Sequence, residues 1–254
     1  ELVCSNSLKA SRIESAAGLL KEEMRRLGSL CLTVADHHAV PAGGALAVER
    51  NGFSKEITEC ILSHPNITVV SECVTDLPTE GYCIVATGPL TDDALATRIG
   101  ERLGSEYLSF YDAAAPIVAG DSIDMTAAFY AIRYGKGDTE DYINCPLNKA
   151  EYEAFHAALI SAERAPLKEF DVQPNVYEGC MPIEILASRG TDAIRFGPMK
   201  PVGLIDPNTG HRPWAVLQLR KENTEGTMYN LVGFQTNLKF GEQKRVFSMI
   251  PALK

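Results

Sequence analysis

The sequence predicts an α/β protein, and three observations carry that reading. Ile13, Ala17, Leu20, Met24 and Leu27 recur at helical spacing near the start of the chain. Two apolar runs, ITVVSECV (67–74) and YCIVATG (82–88), have strand composition, and the second ends in Thr87-Gly88-Pro89 before a helix opens at Thr91. The second half combines a well-capped helix with a β-hairpin pattern. A strand that stops in Ala-Thr-Gly suits the doubly wound folds, where ligands sit off the carboxyl ends of strands and glycine lets the backbone come close. An ordinary strand-to-helix turn has the same signature.

In chain order, Ser11 and Glu14 have capping-box spacing for the first helix, and Gly28 is its stop. LCLTVAD (30–36) reads as a strand, and VPAGGALAVER (40–50) as a glycine-containing loop. Ser54 caps a short helix through Leu62, which HPN breaks. The helix from Thr91 runs to about Leu103. Around Tyr107 the amphipathic period disappears, which places a domain boundary there: residues 1–105 form one domain and 106–254 a second, α+β one. Asn148 and Glu151 open a helix that runs to about Arg164. Residues 166–174 are linker-like, and EGCMPIEILASRG is a turn followed by a short helix with Pro182 at its first position. PWAVLQLR and TMYNLVGFQT flank a turn containing Gly226, the hairpin pattern, and GEQKRVFSMI closes the chain as a short helix.

Composition narrows the class. The 254 residues are 45% hydrophobic and 22% charged, the balance of a soluble globular protein with a proper core. No apolar run approaches the roughly 20 residues of a membrane helix, and no signal peptide opens the chain. Seven scattered cysteines without C-x-x-C spacing argue against a disulfide framework or a zinc ribbon, and for a reducing cytoplasm. The net charge of −9 does not suggest a nucleic-acid binder, yet residues 195–254 hold nine Lys or Arg against four Asp or Glu. A basic stretch on an acidic body can meet a polyanion locally; it is also what a plain solvated surface looks like.

Two thiols stand apart from the rest. Cys180 directly precedes a helix N-terminus, whose partial positive charge favours the thiolate that a nucleophile needs. Packing under a turn is the alternative. Cys4, in CSNSLKA, sits beside Ser5, Asn6 and Ser7, a loop able to wrap a polar cofactor ring or simply to lead into the first helix. RFGPMKPVGL (195–204) is a rigid loop whose Lys200 can stabilise negative charge developing on a substrate oxygen. The five histidines lack metal-ligand spacing, and no metal is expected.

Together the strings ELVCSNSL, GLLKEEMRRLGSL, VPAGGALAVER, ATGPLT, YDAAAPIV, DYINCPL, YEGCMPIE, RFGPMKPVGL and LVGFQTNLKFGEQKRVF resemble, in order and over essentially the whole chain, the folate- and FAD-dependent tRNA (uracil-5-)-methyltransferases, the TrmFO family. The resemblance implies a partial FAD-binding, Rossmann-like domain of glutathione-reductase type, with an inserted α+β domain facing RNA. It implies formation of 5-methyluridine in the tRNA T-loop, with carbon from methylenetetrahydrofolate and reducing equivalents from FAD and NAD(P)H. Cys180 then corresponds to the cysteine that adds to uracil C6, and Cys4 to the one that removes the C5 proton. Cys145 matches without a chemical role. Ser5, Asn6, Ser7, Ala86, Thr87 and Gly88 become candidate cofactor contacts, and Lys200, Arg220, Lys244 and Arg245 candidate RNA contacts. The N-terminal Gly-x-Gly-x-x-Gly segment and the C-terminal return of the FAD domain are absent, so the chain is expected to be a fragment that is inactive alone. A ribosomal RNA uridine as target, or a non-catalytic RNA-binding module, are the alternative readings.

Overall fold

The computed structural model describes residues 5–88, 91–104, 114–133, 141–166 and 181–254. In order these comprise β1 (Ser7–Ala10), α1 (Ala16–Arg26), α2 (Leu30–His37), β2 (Ala39–Val40), β3 (Ala45–Val48), α3 (Arg50–Ser63) and α4 (Asp93–Leu103). There follow β4 (Ile117–Ala119), β5 (Phe129–Tyr130), β6 (Tyr142–Leu147), α5 (Lys149–Ser161), α6 (Ile183–Ser188), α7 (Ala193–Phe196), β7 (Ala215–Lys221), β8 (Met228–Leu231) and α8 (Phe240–Phe247). Two antiparallel sheets result, of order β1-β3-β2 and β4-β8-β7-β6-β5. The mixed α/β class is as expected. The expected boundary near residue 105 adjoins 105–113, which lie outside the described residues.

The larger sheet is built on strict alternation. Ile143, Cys145 and Leu147 of β6 face the same side as Leu219, Leu217 and Ala215 of β7, their register partners. All six are buried in one core with Tyr152, Phe155 and Leu159 of α5, Ile183 and Ala187 of α6, and Val246 and Phe247 of α8. Pro146 lies within β6, where it cannot donate to a ladder. The capping box of α5 forms as its sequence predicts: Glu151 N–H donates to Asn148 Oδ1 at 3.0 Å and Asn148 N–H to Glu151 Oε2 at 2.8 Å. The helix ends at Ser161, short of Arg164, whose backbone instead bridges to Leu238. The β7–β8 hairpin is also as predicted, with Gly226 at φ +68° in its turn.

The first part of the chain departs from expectation in several places. LCLTVAD is helix α2, not a strand. Leu32, Val34 and Ala35 pack on Leu46, Val48 and Phe53, and so short an apolar run has no period that separates helix from strand. Residues 40–50 are not all loop, because Ala45–Val48 is the central strand β3. The cap of α1 is Ser15, whose Oγ accepts from Gly18 N–H at 3.1 Å; Ser11 is held by β-type pairing of its N–H to Gly44 O at 2.9 Å. Glu49, not Ser54, caps α3 through the N–H groups of Asn51 and Gly52. Asp92, one residue after Thr91, caps α4 through Ala94 N–H at 3.0 Å. Pro182 is the N-cap of α6 rather than its first residue.

Residues 67–74 and 82–88 form no ladder at all, although they were expected as two strands. Ile67, Val69, Val70, Val74, Ile84 and Val85 are exposed. β-branched composition describes residues that fit a half-buried pleated surface; without a partner strand it does not make a strand. The helical stripe of α1 is likewise exposed at Leu20 and Met24, and the side buried here carries Gly18 and Lys21. Lys21 Nζ donates to the carbonyls of Ala10 and Ala17, which ties the helix to β1.

Two results follow from these contacts. A Cβ at Gly18 would lie 1.8 Å from Arg12 O, so Gly18→Ala is expected to destabilise the protein by about 1–3 kcal/mol through forced backbone displacement, read as a lowered denaturation midpoint. Between α2 and α3, Glu56 bridges adjacent histidines, Oε1 to His37 Nδ1 at 2.9 Å and Oε2 to His38 Nε2 at 2.7 Å. These bonds hold the Glu56 carboxyl below its ordinary range, so it contributes stability above the unfolded carboxylate pKa, about 4.3, and that contribution is lost as pH falls through the depressed folded value. Denaturant titration of Glu56→Gln should therefore give a lower midpoint than the unmutated chain at neutral pH, with the gap closing in strong acid.

Candidate functional site

The second face of the larger sheet is polar and mostly buried. Alternation places Tyr142 and Asn144 of β6 on it beside Arg220 and Gln218 of β7, with Asn230 of β8 opposite Arg220. Asn144, Gln218, Arg220 and Asn230 are all buried. Buried polar groups require partners, and a network supplies them. Gln218 Nε2 donates to Asn144 Oδ1 at 2.9 Å, and Asn144 Nδ2 donates to Ala131 O at 2.9 Å.

Arg220 lies at the junction with the first sheet. Its Nη2 donates to Ser5 Oγ at 2.8 Å and to Asn6 Oδ1 at 2.7 Å. Asn6, with no exposed surface, uses its Nδ2 on Val48 O and Lys221 O, both at 3.1 Å, and its backbone O accepts from Val48 N–H at 3.0 Å. Ser5 Oγ also accepts from Ser7 N–H at 3.2 Å, a local side-chain turn of the kind short polar residues favour. Arg50 pairs with buried Glu222 at 3.1 Å, and Tyr142 Oη donates to Ala42 O at 2.9 Å. The turn after Cys4 is thus seated on the polar face of the larger sheet. Burial pushes the Arg220 pKa down and that of Tyr142 up. Two buried atoms there have no hydrogen-bond partner, Arg220 Nε and Glu222 Oε1.

A second location lies beside α4. Leu77, Val85, Ala86, Thr87, Gly88 and Arg102 are among the walls of a cavity of about 370 Å³. Thr87 and Thr91 hydroxyls share a 2.6 Å hydrogen bond, and Thr91 Oγ1 donates to Gly88 O at 2.8 Å. Gly88 has φ +75°, which favours glycine, and a Cβ there would meet nothing within 4 Å.

The glucose inhibited division protein A family matches over residues 1–254. The chain belongs to this family. It is 62% identical to the methylenetetrahydrofolate–tRNA-(uracil-5-)-methyltransferase TrmFO of Desulforamulus reducens, and 59% to that of Heliobacterium modesticaldum, each over the whole chain and 57% of the relative. A third protein of that name, from Geotalea uraniireducens, is 61% identical over 253 residues and 58% of its own length. The chain therefore spans somewhat more than half the length of these relatives.

Within this family member the candidate residues fall in three groups. Cys4 and Cys180 lie outside the described residues. Ser5 and Asn6 are together with Arg220, and the Asn6 side chain is spent on protein groups. Ser7 is half-buried in β1, and its Oγ accepts from Lys9 N–H at 3.2 Å. Ala86, Thr87 and Gly88 line the cavity beside α4. Its size is at the low end of small-molecule pockets, about 300–1,000 Å³. An apolar wall with two hydroxyls and one guanidinium fits one end of an extended dinucleotide such as FAD, not its full length.

The proposed RNA contacts are scattered. Arg220 is interior, 5% exposed, where it offers no surface to a phosphate. Lys200 is half-buried in its loop, with its N–H on Gly197 O. Lys244 is exposed on α8, and Arg245, also exposed, pairs with Glu242 at 2.6 Å. Cys145 is fully buried, and burial pushes its thiol up to about 12, which leaves it inert. Among the described residues no group of three His, Cys, Asp or Glu could hold a metal, and no helix is long and apolar enough to cross a membrane.

Sequence reasoning missed Tyr142, Asn144, Gln218 and Glu184. Polar residues alternating with apolar ones in YINCPL and AVLQLRK were the available signal for the first three. Glu184 is fully buried in the first turn of α6, accepting from Thr236 Oγ1 and Asn237 N–H, both at 2.8 Å. With the Ile183 N–H to Gln235 O bond of 2.7 Å, it ties the start of α6 to residues 235–237. That start lies three residues beyond Cys180 in sequence.

Proposed function

We propose that the complete protein transfers the methylene carbon of methylenetetrahydrofolate to C5 of a T-loop uridine in tRNA, and that this chain carries both working thiols. The observation that carries the reading is the 62% identity, over the entire chain, to a protein named as a methylenetetrahydrofolate–tRNA-(uracil-5-)-methyltransferase. Residues 1–105 would belong to the flavin-binding part and 106–254 to the inserted, RNA-facing part.

Uracil C5 is a poor nucleophile. In this reading the Cys180 thiolate forms a bond to C6, and the displaced electron pair makes an enolate nucleophilic at C5. C5 attacks the electrophilic methylene group of the folate. The Cys4 thiolate then takes the C5 proton, and the electron pair it leaves forms the exocyclic methylene as the carrier's C–N bond breaks and tetrahydrofolate departs. Hydride addition to that methylene and expulsion of Cys180 from C6 complete the methyl group. Reduced FAD, where bound, supplies the hydride, and NAD(P)H restores it. The residues beside Ala86–Gly88 would hold one end of that cofactor. A base in a folded T-loop must leave its stack to reach a thiol, so target extrusion is part of the reading.

Nucleoside mass spectrometry of RNA from a strain lacking the gene tests the substrate. Loss of 5-methyluridine from tRNA supports the reading, whereas loss confined to ribosomal RNA assigns the same chemistry to a different target. A complete protein that is purified without flavin absorbance, yet retards tRNA in a gel, would favour a binding module over an enzyme.

A further inference from the structure

We infer that Lys149, Arg195, Phe196 and Trp214 form an RNA-docking surface, on which an unpaired nucleotide of the tRNA stacks its base against Phe196 while Lys149 meets the adjoining phosphate. The inference rests on the reading that tRNA is the substrate, and it names where that RNA is held.

The four side chains converge from three elements. Trp214 N–H donates to Leu147 O at 3.1 Å, which sets the start of β7 beside the end of β6 and the first residue of α5, Lys149. Lys149 Nζ lies 5.5 Å from the centre of the indole ring, and the Arg195 guanidinium carbon 3.8 Å. Both are within cation–π reach, about 6 Å. Arg195 is fixed in place, because its Nε donates to Trp214 O at 3.0 Å. The same guanidinium lies 4.9 Å from the centre of the Phe196 ring. Directly after Phe196 the chain turns at Gly197, so close to Ala193 O that a Cβ there would be 2.9 Å away.

Phe196 is 68% exposed, whereas Ile194, two residues earlier, is fully buried and anchors α7 in the core. The ring thus adds little to packing. Backed by a guanidinium, it presents a π-face to solvent, and unpaired nucleobases stack on such faces whatever their sequence. The bordering charge favours RNA over an apolar protein segment. Glu153 approaches Lys149 only to 3.7 Å and Asp192 approaches Arg195 only to 3.5 Å, and both acids are more than half exposed. Such pairs hold their cations weakly, which leaves positive charge for a phosphate. Phe240 of α8 is the other exposed phenylalanine in a basic setting. There Lys239 and Arg245 are bound by Glu163 and Glu242 at 2.7 and 2.6 Å. The contrast assigns the docking surface to α7 rather than to α8.

The test uses the complete protein and fluorophore-labelled, unmodified tRNA, with anisotropy titrations at several salt concentrations. Phe196→Leu keeps an apolar side chain but loses the π-face, and should weaken binding about tenfold. Phe196→Tyr should restore it. Lys149→Gln should lower the slope of log affinity against log salt by about 0.7, the contribution of one single-strand phosphate. Lys55→Gln removes the same charge from an exposed position on α3 and should leave the slope unchanged. Binding by Phe196→Leu that equals the unmutated protein overturns the inference, and so does an unaltered slope in Lys149→Gln or an equal loss of slope in Lys55→Gln. Failure of the underlying reading is distinct. If no 5-methyluridine forms in tRNA while the Phe196 and Lys149 effects persist, the reaction is wrong and the surface stands. Normal 5-methyluridine formation with unaltered affinities in the variants leaves the reaction and removes the surface. An unmutated protein without affinity for tRNA overturns both.

Discussion

Replacing Cys180 by alanine in the complete protein should abolish covalent capture of 5-fluorouridine RNA, whereas Cys4→Ala should leave capture intact. The expected effect is total, because the adduct is the bond to the sulfur that has been removed. The order of the two steps makes the asymmetry expected once the roles are assigned in this way. Addition at C6 comes first and needs one thiolate, and proton removal comes later and needs another base. Denaturing gels of the protein–RNA mixture would read it directly. Capture by Cys180→Ala would remove the nucleophile assignment while leaving the family assignment untouched.

Glu184→Ala should cost about 2–4 kcal/mol of stability, the largest expected loss from a single polar side chain here. The carboxylate is fully buried and accepts from Thr236 Oγ1 and Asn237 N–H. Alanine would leave both donors buried without an acceptor, and that penalty exceeds the ordinary net worth of two hydrogen bonds. Glu184→Gln keeps one acceptor oxygen and should lose less. Chemical denaturation of the two variants against the unmutated chain measures the difference. In the complete protein, the loosened start of α6 should also slow adduct formation at Cys180, three residues upstream.

What could be read from the sequence was what local chemistry determines. Asn148 and Glu151 cap α5 because both halves of the box lie within four residues, and Gly226 marks its hairpin because a left-handed turn needs glycine. Misreadings arose where a distant partner decides. Residues 30–36 have the composition of a strand, but their neighbours in space, Leu46 and Phe53, accept them as a helix. Residues 67–74 have the composition of a strand, but among the described residues no strand pairs with them. Arg220 looked like an RNA contact because a basic residue in a basic stretch carries no local sign of burial; only the contact with Ser5 and Asn6, more than two hundred residues earlier, reveals its place. Cys4 and Cys180 stand out in the sequence because a cysteine in a polar loop, or in a glycine- and proline-rich turn, departs from the usual apolar setting, and both lie outside the described residues.

The most direct measurement of the central claim follows the carbon. Unmodified tRNA is incubated with the complete protein, NAD(P)H and methylenetetrahydrofolate labelled in its methylene group, and the nucleosides are analysed by mass spectrometry. The account predicts 5-methyluridine whose methyl carbon carries the label, formed only when folate is present. An unlabelled methyl group, or no 5-methyluridine from a protein that has bound its flavin, would contradict it.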